Sequence, residues 1–326
     1  MAPAHHPIFE RFVRTPQKTD GTFVDNFVGA KTRNEYEAAM PPIPKLQTLN
    51  FSVSGRALKT DPDPSLPQML SEDYFEWIDT LEAIDQAEGD FVMMELGAGY
   101  GRWLVNAAAA IRRHKTKSGL AAHFTAVEAS PTRFRWLEQN FKDNGLDTAT
   151  HRLLWGAVSD GAEPVMFPIY NANWPGNQDH DYGARLKKPD GSGFQRVNLK
   201  TDLNQLFPDL EYYESPAAEG QVFIRVPTTP LSHLLGDRSR VDLLDMDVQG
   251  AELAIIADSM DMLNRKVKRV HVGTHGEDIE RAIKATFVQN RWVNVWDMPW
   301  HKMHGTSYGD MYFCDGIQGW KNPAFL

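Results

Sequence analysis

Between Phe91 and Asp315 the chain alternates apolar runs of strand length with amphipathic stretches of helix length, and this alternation restricts the fold more than any other feature. Runs at 91–96, 123–128, 151–158, 241–247 and 267–273 stand among helix-like segments at 102–114, 131–144, 250–263 and 276–290. Strands separated by helices pair in parallel, and the helices cover the two faces of the sheet. Two further runs, 292–297 and 310–315, have no helix-length segment between them, which predicts an antiparallel hairpin at the sheet edge. The expected fold is α/β: a doubly wound, seven-stranded and mostly parallel sheet.

Outside this pattern lie two regions. Residues 1–90 read as an N-terminal extension, Pro-rich in "MPPIPK" and "DPDPSLPQ" and ending in one helix, placed to cap a substrate pocket. In that helix Tyr74, Trp77, Ile78 and Leu81 recur at helical spacing behind Ser71 as N-cap, with Glu72 and Asp73 favouring the first turn. Residues 91–326 form the main domain, interrupted at about 160–230 by a stretch rich in Gly, Pro, Asn and Asp that is too long for a plain loop and suits a lid.

The 326 residues are 42% hydrophobic and 24% charged, enough for a sizeable core, and the net charge of −9 disfavours a mainly electrostatic nucleic-acid binder. A single cysteine, Cys314, rules out an intramolecular disulfide framework and reads as a small buried residue. No apolar stretch approaches the ~20 residues of a membrane span and the first residues carry no signal core, so the expected setting is soluble and cytoplasmic. The acidic, aromatic-rich N-terminal helix is suited to an interface between copies of the chain.

At the first strand–helix join stands "ELGAGYGR" (95–102), with Gly97, Gly99 and Gly101 at the spacing G-x-G-x-G. In an open α/β sheet ligands sit beyond the carboxyl ends of the strands, so something is expected to approach this backbone closely. A diphosphate-binding loop prefers G-x-G-x-x-G, and Glu95 adds negative charge beside the glycines. S-adenosylmethionine fits better, with a cationic amino and sulfonium end and a carboxylate that takes backbone N–H groups. Glu128 ends the second strand, where a carboxylate accepts two hydrogen bonds from a ribose diol. Trp155, Gly156 and Ala157 at the third strand are placed to wall the adenine, with Ala98 and Ala129 beside the two acids.

Later motifs add a specific resemblance. "LLDMDVQGAELAII" (243–256) and "VHVGTHGEDIERAI" (270–283), with the glycine loop, resemble the FkbM-type family of class I, Rossmann-like methyltransferases over about residues 90–320. The resemblance implies transfer of a methyl group from S-adenosylmethionine to a hydroxyl of a sugar, glycan or natural-product small molecule. It carries Glu95, Gly97, Gly99 and Gly101 to the methionine end, Glu128 to the ribose and Asp247 to the methyl-transfer face. Gln249 stands where that family commonly has Glu.

The residues themselves point the same way. Asp245 and Asp247 share one strand face by the two-residue period, with Asp247 at the carboxyl end. Glu252 opens the next helix, where the helix dipole favours an acid. His275 ends the fifth strand, where an imidazole can take a proton from an alcohol. Asp247, His275 and Glu252 are thus the catalytic candidates, and the sequence leaves open whether they act as bases or hold a divalent metal. Gln249, Tyr182 and His301 are assigned to the acceptor. Alternative functions are a nucleic-acid or amine N-methyltransferase, a nucleotide-dependent oxidoreductase and a cofactor-binding module without chemistry.

Overall fold

The computed structural model describes residues 6–16, 18–38, 72–171, 185–187, 193–198, 207–218 and 220–326. Ser71, Trp174 and Tyr182 lie outside the described residues.

Seven strands form the main sheet: β1 (Asp90–Leu96), β2 (Ala121–Glu128), β3 (Arg152–Trp155), β4 (Leu243–Met246), β5 (Arg269–Thr274), β6 (Val293–Met298) and β7 (Gly316–Lys321). Their order is β6-β7-β5-β4-β1-β2-β3, and all pairs are parallel except those of β7 with β5 and β6. The sequence reverses direction across the sheet between β1 and β4, and the two neighbours leave a cleft at their carboxyl ends.

Period-two alternation sends each strand's side chains to two separate cores. Phe91, Met93, Phe124 and Leu243 face helices α1 (Glu72–Gln86), α2 (Arg102–Arg113) and α3 (Pro131–Asp143). Val92, Met94, Leu244, Met246, Val270 and Val272 face α4 (Leu231–Gly236), α5 (Glu252–Lys266) and α6 (Glu277–Gln289). The fold is therefore α/β, doubly wound and Rossmann-like.

Helix α1 packs as the spacing of its apolar residues predicts. Phe75, Ile78, Leu81 and Ile84 are fully enclosed against α2 and the sheet, each contributing about 1.5–3 kcal/mol by burial. Phe9, Phe12 and Phe27 from the N-terminal residues join the same core. The helix also buries charge: Asp79 accepts hydrogen bonds from Arg269 and from His271 Nδ1. Breaking such a buried pair from one side costs about 3–5 kcal/mol.

The segment between β3 and β4 holds a four-stranded antiparallel sheet of Val165–Asn171, Gln221–Val226, Tyr212–Glu214 and Gln195–Val197, with its own small core. The single run expected at 151–158 is broken at Gly156, where a side chain would stand 2.9 Å from the Pro227 carbonyl oxygen. Beyond the break, Ala157–Ser159 pairs with Thr228–Pro230. The antiparallel edge also differs in detail. Lys302–Thr306 and Gly309–Phe313 form a hairpin of their own, and Gly316–Lys321, not 310–315, enters the sheet. Cys314 lies between the two and is half-buried. No helix among the described residues is long and apolar enough to cross a membrane.

Candidate active site

The three glycines of the first loop all have positive φ, and each serves a different contact. A side chain on Gly97 would stand 1.8 Å from the Asp247 carbonyl oxygen, so this glycine lets β1 and β4 close together at their ends. One on Gly101 would meet Leu137 at 2.2 Å, so that glycine seats α2 against α3 and borders neither half of the cleft. Gly99 has nothing within 4 Å of its missing side chain and faces open space. Gly97 and Gly99 both border the cleft, and Gly99 is where a ligand can approach the loop without meeting packed neighbours.

Around Gly99 the carboxylates are held by backbone. Glu128 accepts from Gly99 N at 2.6 Å and from Ser130 N at 2.7 Å. Glu95 accepts from Trp103 N and Leu104 N, both at 3.3 Å, and so caps the amino end of α2, whose N-cap Gly101 supplies no side chain. Burial, reinforced by the charge of Asp245, raises the Glu95 carboxyl well above the usual range. Ala98 N and Gly97 N both donate to the Val127 carbonyl.

Two cavities meet at this loop. The first, about 670 Å³ and open to solvent, is bordered by Gly97, Gly99, Glu128, Ala129, Gly156, Ala157, Asp247 and Gln249. Val158, Phe167 and Leu186 complete its apolar wall. Trp155 stands outside the border, its indole N–H donating to the Ala129 carbonyl. The second cavity, about 970 Å³, runs from Glu95, Ala98 and Gly99 to α1 and the start of β7. It carries seven carboxylates, Glu72, Asp73, Glu76, Glu95, Asp245, Asp247 and Asp315, against Arg102, Arg133 and His271.

Asp247 borders both cavities. Its Oδ1 accepts from Gln249 Nε2 at 2.7 Å, and Gln249 holds a left-handed φ of 55°, a cost that folded proteins concentrate at functional sites. A Glu at this position would turn a carboxylate, not a donor, toward Asp247. Behind Asp247, His275 is 7% exposed, with Nε2 at 3.3 Å from Asp247 Oδ1 and Nδ1 at 2.8 Å from Oε1 of the fully buried Glu252. Glu252 Oε1 also accepts from Gly250 N at 2.9 Å. Although burial opposes a charge on His275, the Glu252 hydrogen bond and the carboxylates of Asp247 and Asp315 raise its pKa to about 9. The imidazole is therefore a cation at neutral pH.

The structure thus brings Asp247, Gln249, Glu252 and His275 together, with the glycine loop and Glu128 on the cavity side. His301 is exposed beside Trp300 and lies in the border of neither cavity. Sequence reasoning missed Asp315, Glu72, Glu76, Phe167 and Leu186, which reach the site from segments without a motif.

Glu72 offers a direct check on this crowding. Burial and the charge of Asp315 push its carboxyl up to about 7 from 4.5. A proton held more tightly when folded favours folding at acid pH, so this contribution falls away as pH rises from about 4.5 through 7. Glu72→Gln retains an acceptor for the backbone N–H groups of Cys314 and Asp315 without the charge. It is expected to raise the melting temperature at pH 8, by up to about 1–3 kcal/mol of stability, and to leave it unchanged at pH 5. Equal shifts at both pH values would contradict the assignment.

Comparison with known proteins fixes the broad chemistry. The sequence profile of the methyltransferase FkbM domain matches residues 95–288. The chain belongs to the FkbM methyltransferase family. The matched span runs from the acid of β1 to the end of α6, and so contains the glycine loop, Glu128, Asp247, Glu252 and His275. A relative from Jannaschia sp. (strain CCS1), carrying a provisional methyltransferase name, is 25% identical over 280 residues, which is 85% of this chain and 84% of that protein. Solved structures give distant likenesses. The FkbM methyltransferase of Methylobacillus flagellatus KT has a TM-score of 0.34 at 10% identity, covering 71% of this chain and 44% of that one. A precorrin-6y C5,15-methyltransferase from Geobacter metallireducens GS-15 has a TM-score of 0.35 at 11% identity, covering 74% and 86%. This FkbM-family chain is a methyltransferase enzyme.

Proposed function

We propose that the chain transfers a methyl group from S-adenosylmethionine to a hydroxyl oxygen of a small sugar-like or natural-product acceptor. The observation that carries the reading is that the two cavities share a wall made of Gly97, Gly99, Arg133 and Asp247, of which Asp247 alone supplies a carboxylate, so a donor in the first and an acceptor in the second meet beside it.

The residues present fit the donor. Open space at Gly99 admits a ligand to the loop backbone, Glu128 stands at the end of β2 where a ribose diol binds, and Ala129, Ala157, Val158 and Phe167 supply an apolar slot for a flat base. When bound, S-adenosylmethionine supplies an electrophilic methyl whose sulfonium leaves as a neutral thioether. Asp247 is placed to accept the proton that the acceptor hydroxyl loses as its oxygen gains the methyl. His275, charged and fixed by Glu252, steadies the ionised Asp247. The remaining rate gain comes from holding the two reactants in one closed site.

The acidic second cavity bears on the acceptor class. Seven carboxyl groups, even with Glu95, Glu76 and Glu72 pushed toward the protonated form by burial, outnumber Arg102 and Arg133, which disfavours a nucleic-acid acceptor and favours neutral polyols or cationic amino sugars. Two experiments test the reading. Calorimetric titration is expected to show binding of S-adenosylmethionine and S-adenosylhomocysteine, weakened by Glu128→Ala by roughly tenfold or more. Labelled-methyl transfer to a panel of polyols, amino sugars and RNA is expected to place the label on oxygen of the first two. Absence of binding would sink the cofactor assignment, and labelling of amine nitrogen or RNA would sink the acceptor class.

A further inference from the structure

Side chains from the carboxyl ends of β4 and β5, the start of α5 and the residue before β7 surround the His275 imidazole. His275 Nε2 has Asp247 Oδ1 at 3.3 Å and Asp315 Oδ1 at 3.6 Å, while Glu252 holds Nδ1 at 2.8 Å from the other side. Yet Nε2, enclosed in a residue only 7% exposed, makes no hydrogen bond: Asp315 Oδ1 is too distant and Asp247 Oδ1, though near, is out of line. A buried nitrogen left so is costly, and an atom seated among the three would satisfy it.

The neighbouring group of Glu76, Asp245 and His271 makes a useful contrast. There Glu76 and Asp245 hydrogen-bond to each other and His271 Nδ1 bonds Asp79, so the polar atoms meet one another's needs. His275 Nε2 has no such bond. Two ligand atoms bound to one cation at about 2.2 Å lie about 3.1–3.6 Å from each other, and the two carboxylate oxygens stand at 3.3 and 3.6 Å from His275 Nε2.

We propose that Asp247 Oδ1, Asp315 Oδ1 and His275 Nε2 form a binding site for a divalent cation of the Mn²⁺ or Mg²⁺ kind, with Glu252 fixing the imidazole from behind. Two carboxylates and one imidazole suit a hard or borderline divalent ion. A buried acid on the far nitrogen of a ligating histidine is the usual outer support of such sites, since it sets the tautomer and the ring orientation. The Asp247 and Asp315 side chains are 50% and 42% exposed, so the remaining coordination positions open on the second cavity. A cation there replaces the imidazolium proton as the positive charge facing Asp247. Its role in presenting an acceptor oxygen rests on the proposed function, whereas its existence does not.

The test is titration of chelator-treated protein with Mn²⁺ alone, followed by the electron paramagnetic resonance of free Mn²⁺ and by calorimetry. One site is expected, weakened roughly tenfold or more by Asp315→Asn and by His275→Gln, and unchanged by Glu128→Ala on the donor side. Asp247→Asn serves as a third variant should either of the first two fail to fold by circular dichroism. Absence of Mn²⁺ binding at millimolar concentration, or binding indifferent to the folded ligand variants, overturns the site. S-adenosylmethionine titrated in parallel separates the two readings. Retained cofactor binding without Mn²⁺ binding removes the cation site alone, and Mn²⁺ binding without cofactor binding removes the donor assignment alone.

Discussion

Gly97→Ala is expected to destroy the folded enzyme, whereas Gly99→Ala is expected to leave the fold and weaken the cofactor. Both positions carry left-handed φ, 79° and 54°, so both substitutions bear the strain of that region, about 1–2 kcal/mol. The difference lies in what the new methyl meets. At Gly97 it overlaps the Asp247 carbonyl at 1.8 Å, and that oxygen belongs to a segment whose own N–H is tied to the Leu96 carbonyl at 2.9 Å. Backbone fixed on both sides does not yield, so the central strands must part. A loss beyond about 4 kcal/mol follows, against a total stability of about 5–15 kcal/mol. At Gly99 the methyl stands in the open cleft and costs only the strain, but it occupies space at the donor's loop. Thermal denaturation with cofactor titration reads both effects. A Gly97→Ala protein that melts within a few degrees of the wild type would contradict this account of the loop.

The same glycines show how far the sequence could be read. The alternation of runs fixes strand and helix periods locally, and β1, β2, α2, α3 and α6 fall within a few residues of their expected ends. The spacing G-x-G-x-G marks the loop but not which contact each glycine serves, because the partners of Gly97 and Gly101 come from β4 and α3, far along the chain. Strand β7 was hidden for a related reason. A side chain at its Gly316 would strike Glu280 at 1.9 Å, and one at its Gly319 would strike Trp296 at 2.4 Å. Glycine is there because tertiary neighbours need the room, which no local pattern records. Asp315 escaped notice with it, since it immediately precedes that strand and carries no motif. Asp247, Glu252 and His275 were legible because strand ends and a helix start set their positions through local periodicity. Their mutual distances were not, since those depend on the packing of α5 against β4 and β5.

Glu252→Gln is expected to lower kcat by roughly 10–100-fold while leaving S-adenosylmethionine affinity unchanged, and His275→Ala to lower it by roughly 10²–10⁴-fold. Glu252 is fully buried and its Oε1 receives two hydrogen bonds, from Gly250 N and from His275 Nδ1. The glutamine amide oxygen accepts the same two bonds without the charge that keeps the imidazole protonated and oriented. A carboxylate serving only to favour the start of a helix would, on substitution, shift the melting temperature and spare kcat. One serving through His275 changes kcat and its pH dependence together, and the effect vanishes when His275 is already absent. The double variant Glu252→Gln, His275→Ala is therefore expected to be no slower than His275→Ala alone, since the two residues act as a unit. Multiplicative losses in the double variant would mean that Glu252 contributes by a route other than His275, and the Glu252–His275 contact would then carry no catalytic function.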